Sequence, residues 1–593
     1  MRIGRIDISP SRNPAILDTA TWDEEGAARI VTGVGETGWE AISDAALRPG
    51  APLPASVGVV PYPGSVAESD GTLHFLAALA DGQRAFIEMG SADGEAILGT
   101  PVATRPLGQA STAGPPSGSL ETAQRVGQIA LYRADAATIH QYTQLLRPDK
   151  APRALGATPR LGIGVRMSAV MWPGVYEAMD KGGFAANSIQ NSMRELELLE
   201  NILAARPPEA IYLPGFGTVE SGHTGSTFEG LWVYGVLEAL KSDGHFRYGA
   251  DADHIKVARG PEGMARAKRV LEAARYYTFF TLDVSGVLDY GALVAGAAAA
   301  EGYLTARIAP ARERAEVLAY HLQQRRIGGC SYELDAAAAG RLVGKYWEAL
   351  DAAVELADHI RRLRGNRPFD LEFAIDERTP EIATCDCITS DDEVIFVLLE
   401  LKRRGVPVTH LAPNFGVEKP VDYRCPDGLN GLEARVRSQY RIAEEFGVML
   451  DFHSGDDLSS ATRLVIGRAT EGRNHFKVSP EPQIMFAEVV RDLHPELFRR
   501  WWDASLAYAQ REAAGGSAFA AACLTEIEAG GRRAPSPRDI IFHNFGFAFV
   551  GKRNAAGQYL NREELYSLPP ALYAEYRSRL VAYLCLLAGE LFR

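Results

Sequence analysis

The sequence predicts an α/β protein whose larger part is a (β/α)8 TIM-like barrel, preceded by a β-rich N-terminal region. Three observations carry that prediction. From about residue 158, apolar runs of strand length alternate with amphipathic helical stretches, which implies parallel sheet. The runs number roughly eight, the count at which such a sheet closes. Several of them also place polar residues at every second position near their C-terminal ends, where barrels of this kind keep their active sites.

Taken in chain order, residues 1–155 are rich in Gly, Pro and Ser, and their short apolar runs "SVGVVPYP", "TLHFLAAL" and "RAFIEMG" read as strands joined by turns. "RPLGQASTAGPPSGSLETAQ" reads as a flexible connection. "TGVGETGWEAI" spells G-x-G-x-x-G at Gly33, Gly35 and Gly38, but no convincing parallel strand ending in an acid follows, so it reads as a turn. The barrel is expected within 156–593. Its strands are "RLGIGVRM" (160–167), "AIYLPGF" (210–216), "FRYGADADHIKV" (246–257), "YTFFTLDVS" (277–285), "FDLEFAID" (369–376), "VPVTHLAPNF" (406–415), "GVMLDFHSG" (447–455) and "NHFKVSP" (474–480). "EGMARAKRVLEAARYY" and "LNGLEARVRSQYRIAEEFG" carry apolar residues at helical spacing. "SDDEVIFVLLELKRRG" opens on Ser390 and acids and closes on bases and Gly405, which suits both ends of a helix. Residues 286–365 read as a largely helical insertion, a lid or subdomain. Beyond 480 the chain reads as a mainly helical extension, interrupted by "IIFHNFGFAFVGKR".

With 593 residues, 46% hydrophobic and 23% charged, the composition is that of a globular protein. A formal net charge of -13 argues against partners such as nucleic acid or an anionic membrane, which need basic surfaces. The N-terminal "MRIGRIDISPSRNP" has no apolar core of a secretory signal, and no apolar run reaches the length of a membrane span, so a cytoplasmic protein is expected. Six cysteines in this length do not suggest a disulfide framework. Cys385, Cys387 and Cys425 could form a structural zinc site, although no fourth ligand is evident. The aromatic "FRRWWDASLAYAQ" fits either the core or a subunit interface, which leaves a homo-oligomer open.

Alternation along the expected strands sorts their polar residues onto one face. Asp251 and Asp253 share it, with His254 just past the turn; so do Thr281, Asp283 and Ser285, and Asp370, Glu372 and Asp376. His410 pairs with Asn414, Asp451 with His453, and His475 with Lys477 and Ser479. A lone inward His or Asp is most simply a hydrogen-bonded structural group. Six strands delivering such groups to one rim point instead to a polar site holding a metal and acid/base groups around an anion. Imidazoles with carboxylates suit zinc foremost, with manganese, nickel or cobalt as alternatives. The preferred ligands are His254, His410 and His453, with His475 in reserve.

The longer text resembles one family, the tagaturonate/fructuronate epimerases (UxaE-type hexuronate epimerases). The resemblance rests on "GADADHIKV", "YYTFFTLDVSGVLDYGAL", "LEFAIDERTPEIATCDCITSDDEVIFVLLELKRRG", "VTHLAPNFGVEKPVDYRCPDGLNGLEARV", "VMLDFHSGDDLSSAT", "GRNHFKVSPEPQIMFAEV" and "FVGKR", with "SIQNSMREL" upstream carrying Gln190, Ser192 and Arg194. It implies metal-dependent interconversion of D-tagaturonate and D-fructuronate. These sugars differ at a carbinol carbon β to the ketone, whose C–H the carbonyl does not acidify. Enolisation therefore cannot invert it, and retro-aldol cleavage with re-addition is the favoured route over transient oxidation by a nicotinamide. That route needs two acid/base groups, for which Asp253 and Glu372 are the candidates. Gln190, Arg194, Lys256, Asn414, His475 and Lys477 are candidates for binding the sugar acid, with Asp451 orienting an imidazole. The alternatives are an aldolase of the class II type, an epimerase or isomerase for another sugar, and an inactive sugar-acid-binding protein.

Overall fold

In the computed structural model the polar strand ends meet because eight parallel strands close into a barrel. Residues 2–3, 6–7, 22–91, 97–107, 127–167, 170–192, 210–213, 217–220, 227–376, 383–417, 422–453, 455, 458–529, 534–552, 554 and 560–593 are described. In chain order the barrel strands are Arg160–Gly164, Ala185–Ser192, Tyr248–Lys256, Phe279–Asp283, Asp370–Ala374, His410–Ala412, Met449–Phe452 and Asn474–Val478. The eighth closes on the first, with Lys477 opposite Gly162. Their outward side chains join one large core with the surrounding helices, which is why the apolar half of each strand was readable as such.

The second strand differs from expectation. It is Ala185–Ser192, whereas Ala210–Leu213 pairs antiparallel with Gly217–Glu220 outside the barrel. The true strand buries amides (Asn187, Gln190 and Asn191), so it lacks the apolar run that marks its neighbours. The stretch between the fourth and fifth strands also divides differently. Helices Ala297–Arg307 and Ala311–His321 and a short hairpin are inserted. The 29-residue helix Ala336–Arg364, however, packs against the barrel helices Pro261–Ala273 and Asp391–Arg403, in the place of the barrel's own fourth helix. In Asp391–Arg403, Ser390 and Glu393 form the reciprocal capping box that the acids at the helix start foreshadowed.

The N-terminal region holds a six-stranded antiparallel sheet, flanked by helices Glu24–Gly33, Glu36–Leu47 and Ala136–Leu145. Gly33 and Gly35 lie at the joint between the first two of these helices. After the eighth strand come helices including Pro480–Leu493, Pro495–Ala514 and Pro570–Leu591; "IIFHNFGFAFV" forms two short helices. Trp501 from the aromatic stretch is buried and donates to the Gly546 carbonyl at 2.7 Å. Among the described residues, no helix is long and apolar enough to cross a membrane.

The cysteine expectation is corrected. Cys385 and Cys425 form a disulfide that joins the loops after the fifth and sixth strands. Cys387 is a buried thiol outside that disulfide, so the three do not act as one zinc site.

Candidate active site

The floor of the barrel is closed by a buried ion pair, Arg160 with Asp370 at 2.9 Å. Asp370 also accepts the N–H groups of Leu155 and Gly156, so this carboxylate is spent on structure. Next to this pair lie the rings of Phe279, His410 and His475, with centroids 4.8 to 5.4 Å apart. Burial holds both imidazoles well below the usual histidine range, aided by Arg160 at His410 and by His410, Lys477 and Arg160 at His475. They are neutral rings.

Above them the ammonium of Lys477 is the centre of the site. It donates to Glu372 at 2.6 Å, to Thr281 at 2.9 Å and to Asp253 at 3.0 Å, and lies 3.6 Å from both Asp251 and Asp451. Burial pushes its pKa down, but the four carboxylates outweigh burial and hold it well above the ordinary lysine value. The Thr281 hydroxyl in turn donates a hydrogen bond to Glu372 at 2.9 Å, and Gln190 donates to Asp253 at 3.0 Å. Against the cost of burial, Lys477 and His453 keep Glu372 ionised, and His254, Lys477 and His453 keep Asp253 ionised. Burial and neighbouring carboxylates instead push Asp251 and Asp451 well up, toward their neutral forms. The pocket therefore carries more carboxylate than its cations balance.

His453, at the tip of the seventh strand, bridges two acids. Its Nε2 lies 2.7 Å from Glu372 and its Nδ1 3.0 Å from Asp376. Burial lowers its pKa, but Asp376 and Glu372 win and raise it well above the usual value, so it is an imidazolium here. Its ring meets that of His254 at 5.1 Å. His254 has φ +53°, and the pairing of the third and fourth strands slips between Ala252 and Ile255. A left-handed non-glycine residue at a bulge costs on the order of 1 kcal/mol and re-aims its side chain, a feature concentrated at functional sites. Asp283 lies 3.5 Å from His254 and 3.7 Å from Lys256, and its carboxylate is held down, against burial, by both.

The structure thus gathers Gln190, Asp253, Glu372, Asp451, His453, His475 and Lys477 around one point, with His254 and Lys256 beside them. It does not bring the expected histidine trio together as one ligand set. His410 lies among Phe279 and His475, and its Nδ1 is 2.8 Å from the Thr409 hydroxyl. Instead, Glu372, Asp451 and His475 each offer a ligand atom within 4.8 Å of the others. Asn414 serves its loop: its amide donates to the carbonyls of Thr384 and Cys387, and it accepts from the Gly416 N–H. Arg194, Asp456 and Asp457 lie outside the described residues. Thr281, Asp283 and Asp376 share the site although no role was expected of them; their place on the inward face was the available signal.

The profile of the tagaturonate epimerase family, UxaE, matches residues 219–515, half of the chain. A tagaturonate/fructuronate epimerase of Thermotoga maritima is 28% identical over 390 residues, which covers 62% of this chain and 67% of that protein. The glycerol-complexed crystal structure of the fructuronate-tagaturonate epimerase UxaE of Cohnella laeviribosi aligns with a TM-score of 0.64 and 21% identity, over 90% of this chain and 96% of that one. The native crystal structure of the same enzyme gives 0.63 and 20%, over 94% and 99%. At these identities the two structures bear on the fold.

Proposed function

This chain belongs to the tagaturonate epimerase family, a family of isomerases, and from that premise we propose that it interconverts D-tagaturonate and D-fructuronate by metal-assisted retro-aldol chemistry. The observation that carries the reading is Lys477, bonded to two ionised carboxylates, Asp253 and Glu372, that stand on separate strands of one barrel mouth.

Glu372, Asp451 and His475 are the residues that would hold a divalent ion. They fit it by chemistry: the imidazole is kept neutral, neither oxygen of Asp451 accepts an aligned hydrogen bond from a described residue, and the surrounding carboxylate is in excess. The His475 Nδ1 to Asp451 contact, 2.7 Å without hydrogen-bond alignment, is also close to the separation of about 3 Å between neighbouring ligands of one ion. Bound there, the ion would act as a Lewis acid toward the ketone and its neighbouring hydroxyl.

The chain's own residues handle the protons. One of Asp253 and Glu372 takes the hydroxyl proton from the carbon to be inverted. That oxygen becomes an aldehyde carbonyl as the bond to the carbon beside the ketone breaks, and the electron pair moves to the ketone oxygen. The Lys477 ammonium stabilises the negative charge that develops. Once the aldehyde has turned, the carbon–carbon bond re-forms on its other face. With Asp253 as the base, the new alkoxide takes a proton that the His453 imidazolium relays through Glu372, and the reverse reaction runs the same transfers backward from protonated Asp253 and neutral His453. His453, charged and bonded to Glu372, supplies a proton on that side.

The test is incubation of protein loaded with zinc, manganese, nickel or cobalt with D-fructuronate, D-tagaturonate, D-fructose and D-tagatose, followed by product separation. Interconversion of the two uronates is expected. Accumulating three-carbon fragments would mean an aldolase, and nicotinamide released on denaturation would favour the oxidative route. Chelator followed by desalting should abolish turnover, and added metal should restore it.

A further inference from the structure

We propose that Lys256, at the rim of the third strand, binds the carboxylate of the sugar acid and holds the aldehyde fragment while it turns; this rests on the uronate and retro-aldol reading above.

A bulge puts Lys256 in that place. Asp253 points inward, since its carboxylate is bonded to Lys477 and Gln190. Alternation alone would send residue 256, three positions on, to the helix side of the sheet. The pairing of the third and fourth strands slips, however: Ala252 is opposite Phe280 and Ile255 opposite Leu282, so Asp253 and His254 stand where Thr281 alone stands. His254, with φ +53°, takes up the extra step. Beyond it Ile255 and Leu282 are buried in the core, and Lys256 pairs with Asp283, two positions past the inward Thr281. The strained residue therefore returns a cation to the inner face at the very end of the strand.

The ammonium there is held without being sealed. Of the two lysines at the mouth, Lys477 donates to three side chains, whereas Lys256 donates no hydrogen bond to a described residue. Its Nζ stands 3.7 Å from Asp283 Oδ2, beyond hydrogen-bond length, and its side chain is 28% exposed. Asp283 is itself fixed, because its other oxygen accepts the Ser285 N–H at 3.1 Å and the Ser285 hydroxyl at 2.5 Å. One ammonium has three donors and can serve several acids, as Lys477 does in the same barrel, so Asp283 leaves room for a second carboxylate. Deeper in the pocket a substrate carboxylate would meet Asp253 and Glu372, both ionised, beside a lysine already bonded to them.

The height of Lys256 fits the sugar. Asp283 lies two residues beyond Thr281, about 7 Å along the strand. Thr281 is bonded to both Lys477 and Glu372. An extended six-carbon acid has about that length between its ends. A carboxylate on Lys256 thus sends the ketone half toward Lys477 and Glu372, with the carbon to be inverted between them. When the bond beside the ketone breaks, the carboxylate stays on the aldehyde fragment, two bonds from the aldehyde carbon. That carbon can then change face by rotation about the bond to its hydroxyl-bearing neighbour, while the carboxylate stays on Lys256. The ammonium that selects a uronate thereby also keeps the fragment from leaving before the bond re-forms.

The experiment compares wild type, Lys256→Met and Lys256→Arg in the metal-loaded full chain. The sugars are D-tagaturonate and D-tagatose, which carries a hydroxymethyl group in place of the carboxylate. Calorimetric Kd, KM, kcat and Tm are measured, together with the dihydroxyacetone released per sugar epimerised. Loss of a charge-assisted contact should raise Kd and KM for D-tagaturonate about 10- to 100-fold in Lys256→Met. The Kd for D-tagatose and Tm should barely change, and dihydroxyacetone release per turnover should rise about tenfold or more. Lys256→Arg keeps the charge and should recover most of the affinity. Unchanged Kd and KM for D-tagaturonate in Lys256→Met would overturn the inference, as would equal weakening of both sugars. Release no greater than in wild type would overturn the holding role. If wild type binds D-tagaturonate but does not epimerise it, the proposed function fails while the Kd series still decides the carboxylate contact. If wild type does not bind it, both fail.

Discussion

The ammonium of Lys477 lies within 3.6 Å of four carboxylates and is almost wholly buried, so its charge has no solvent to fall back on. Removing one partner of such a cluster costs more than the interaction is worth, because the acids left behind are desolvated and unpaired. Lys477→Met should therefore lower stability by about 3–5 kcal/mol, seen as a fall in Tm or denaturant midpoint, and should reduce kcat by three or more decades. Glu372→Gln and Asp253→Asn are shape-preserving and keep a hydrogen-bond acceptor toward Lys477. They should leave Tm nearly intact while lowering kcat by about 100- to 10,000-fold each. If both amide variants turn over normally, neither residue is the acid/base group. A Thr281→Val variant separates positioning from chemistry, since it removes the hydroxyl that links Lys477 to Glu372 while leaving both charges. It should cost about 1 kcal/mol of stability and a modest fraction of kcat.

Between the fifth and sixth strands, two loops at the mouth are tied by the Cys385–Cys425 disulfide and by the Asn414 amide, which bonds to Thr384 and Cys387 in the same turn. The disulfide closes 40 residues, and the chain-entropy model gives about 4 kcal/mol for a loop of that length. Cys385→Ser with Cys425→Ser, or full reduction, should lower the resistance of these loops to proteolysis and raise their hydrogen exchange, while the helices on the far side stay protected. Uniform exchange across the barrel in the reduced protein would refute a local clamp. These loops also show where sequence reading stops. Seven strands could be read, and the inward faces of six of them, because apolar outward positions alternate with polar ones such as Asp, Glu, His or Lys, as in 449–453 and 474–478. The second strand could not, since it buries Asn187, Gln190 and Asn191 instead of aliphatic side chains. Asn414 and His410 sat on the right strand, yet one turned to its own loop and the other to a ring stack. Alternation fixes the face a side chain takes; height along the barrel and the neighbour it meets depend on register, which one strand cannot report.

The N-terminal region and the barrel share a hydrophobic core, with Phe86, Ile139 and Tyr142 packed into the same cluster as the barrel's Trp172 and Trp232. Polar contacts cross the same seam. Lys150 donates to the carbonyls of Ser242 and Gly244 at 2.5 and 2.6 Å, and Tyr248 donates to the Lys150 carbonyl at 2.6 Å. Gly64 is held against Ser242 so closely that a Cβ would strike its backbone. His140 completes the joint, accepting from Arg367 at 2.8 Å beside the stacked rings of Trp232 and Tyr276. Burial first, and then the nearby Arg367 and Arg364, lower its pKa to about 4. Because the folded value lies below the unfolded value of about 6.5, the unfolded chain binds the extra proton between them. The contribution of His140 is thus fully present above pH 6.5 and is lost as pH falls toward 4. After allowance for partial solvent screening, the loss by pH 5 should be about 1–2 kcal/mol. His140→Gln keeps an acceptor for Arg367 but cannot take up the proton. Between pH 7 and pH 5 its Tm should therefore fall less than that of wild type, by a difference of a few degrees. Equal falls in the two proteins would mean that acid sensitivity arises elsewhere, in the carboxylates of the barrel mouth and not at the seam that seats the N-terminal region.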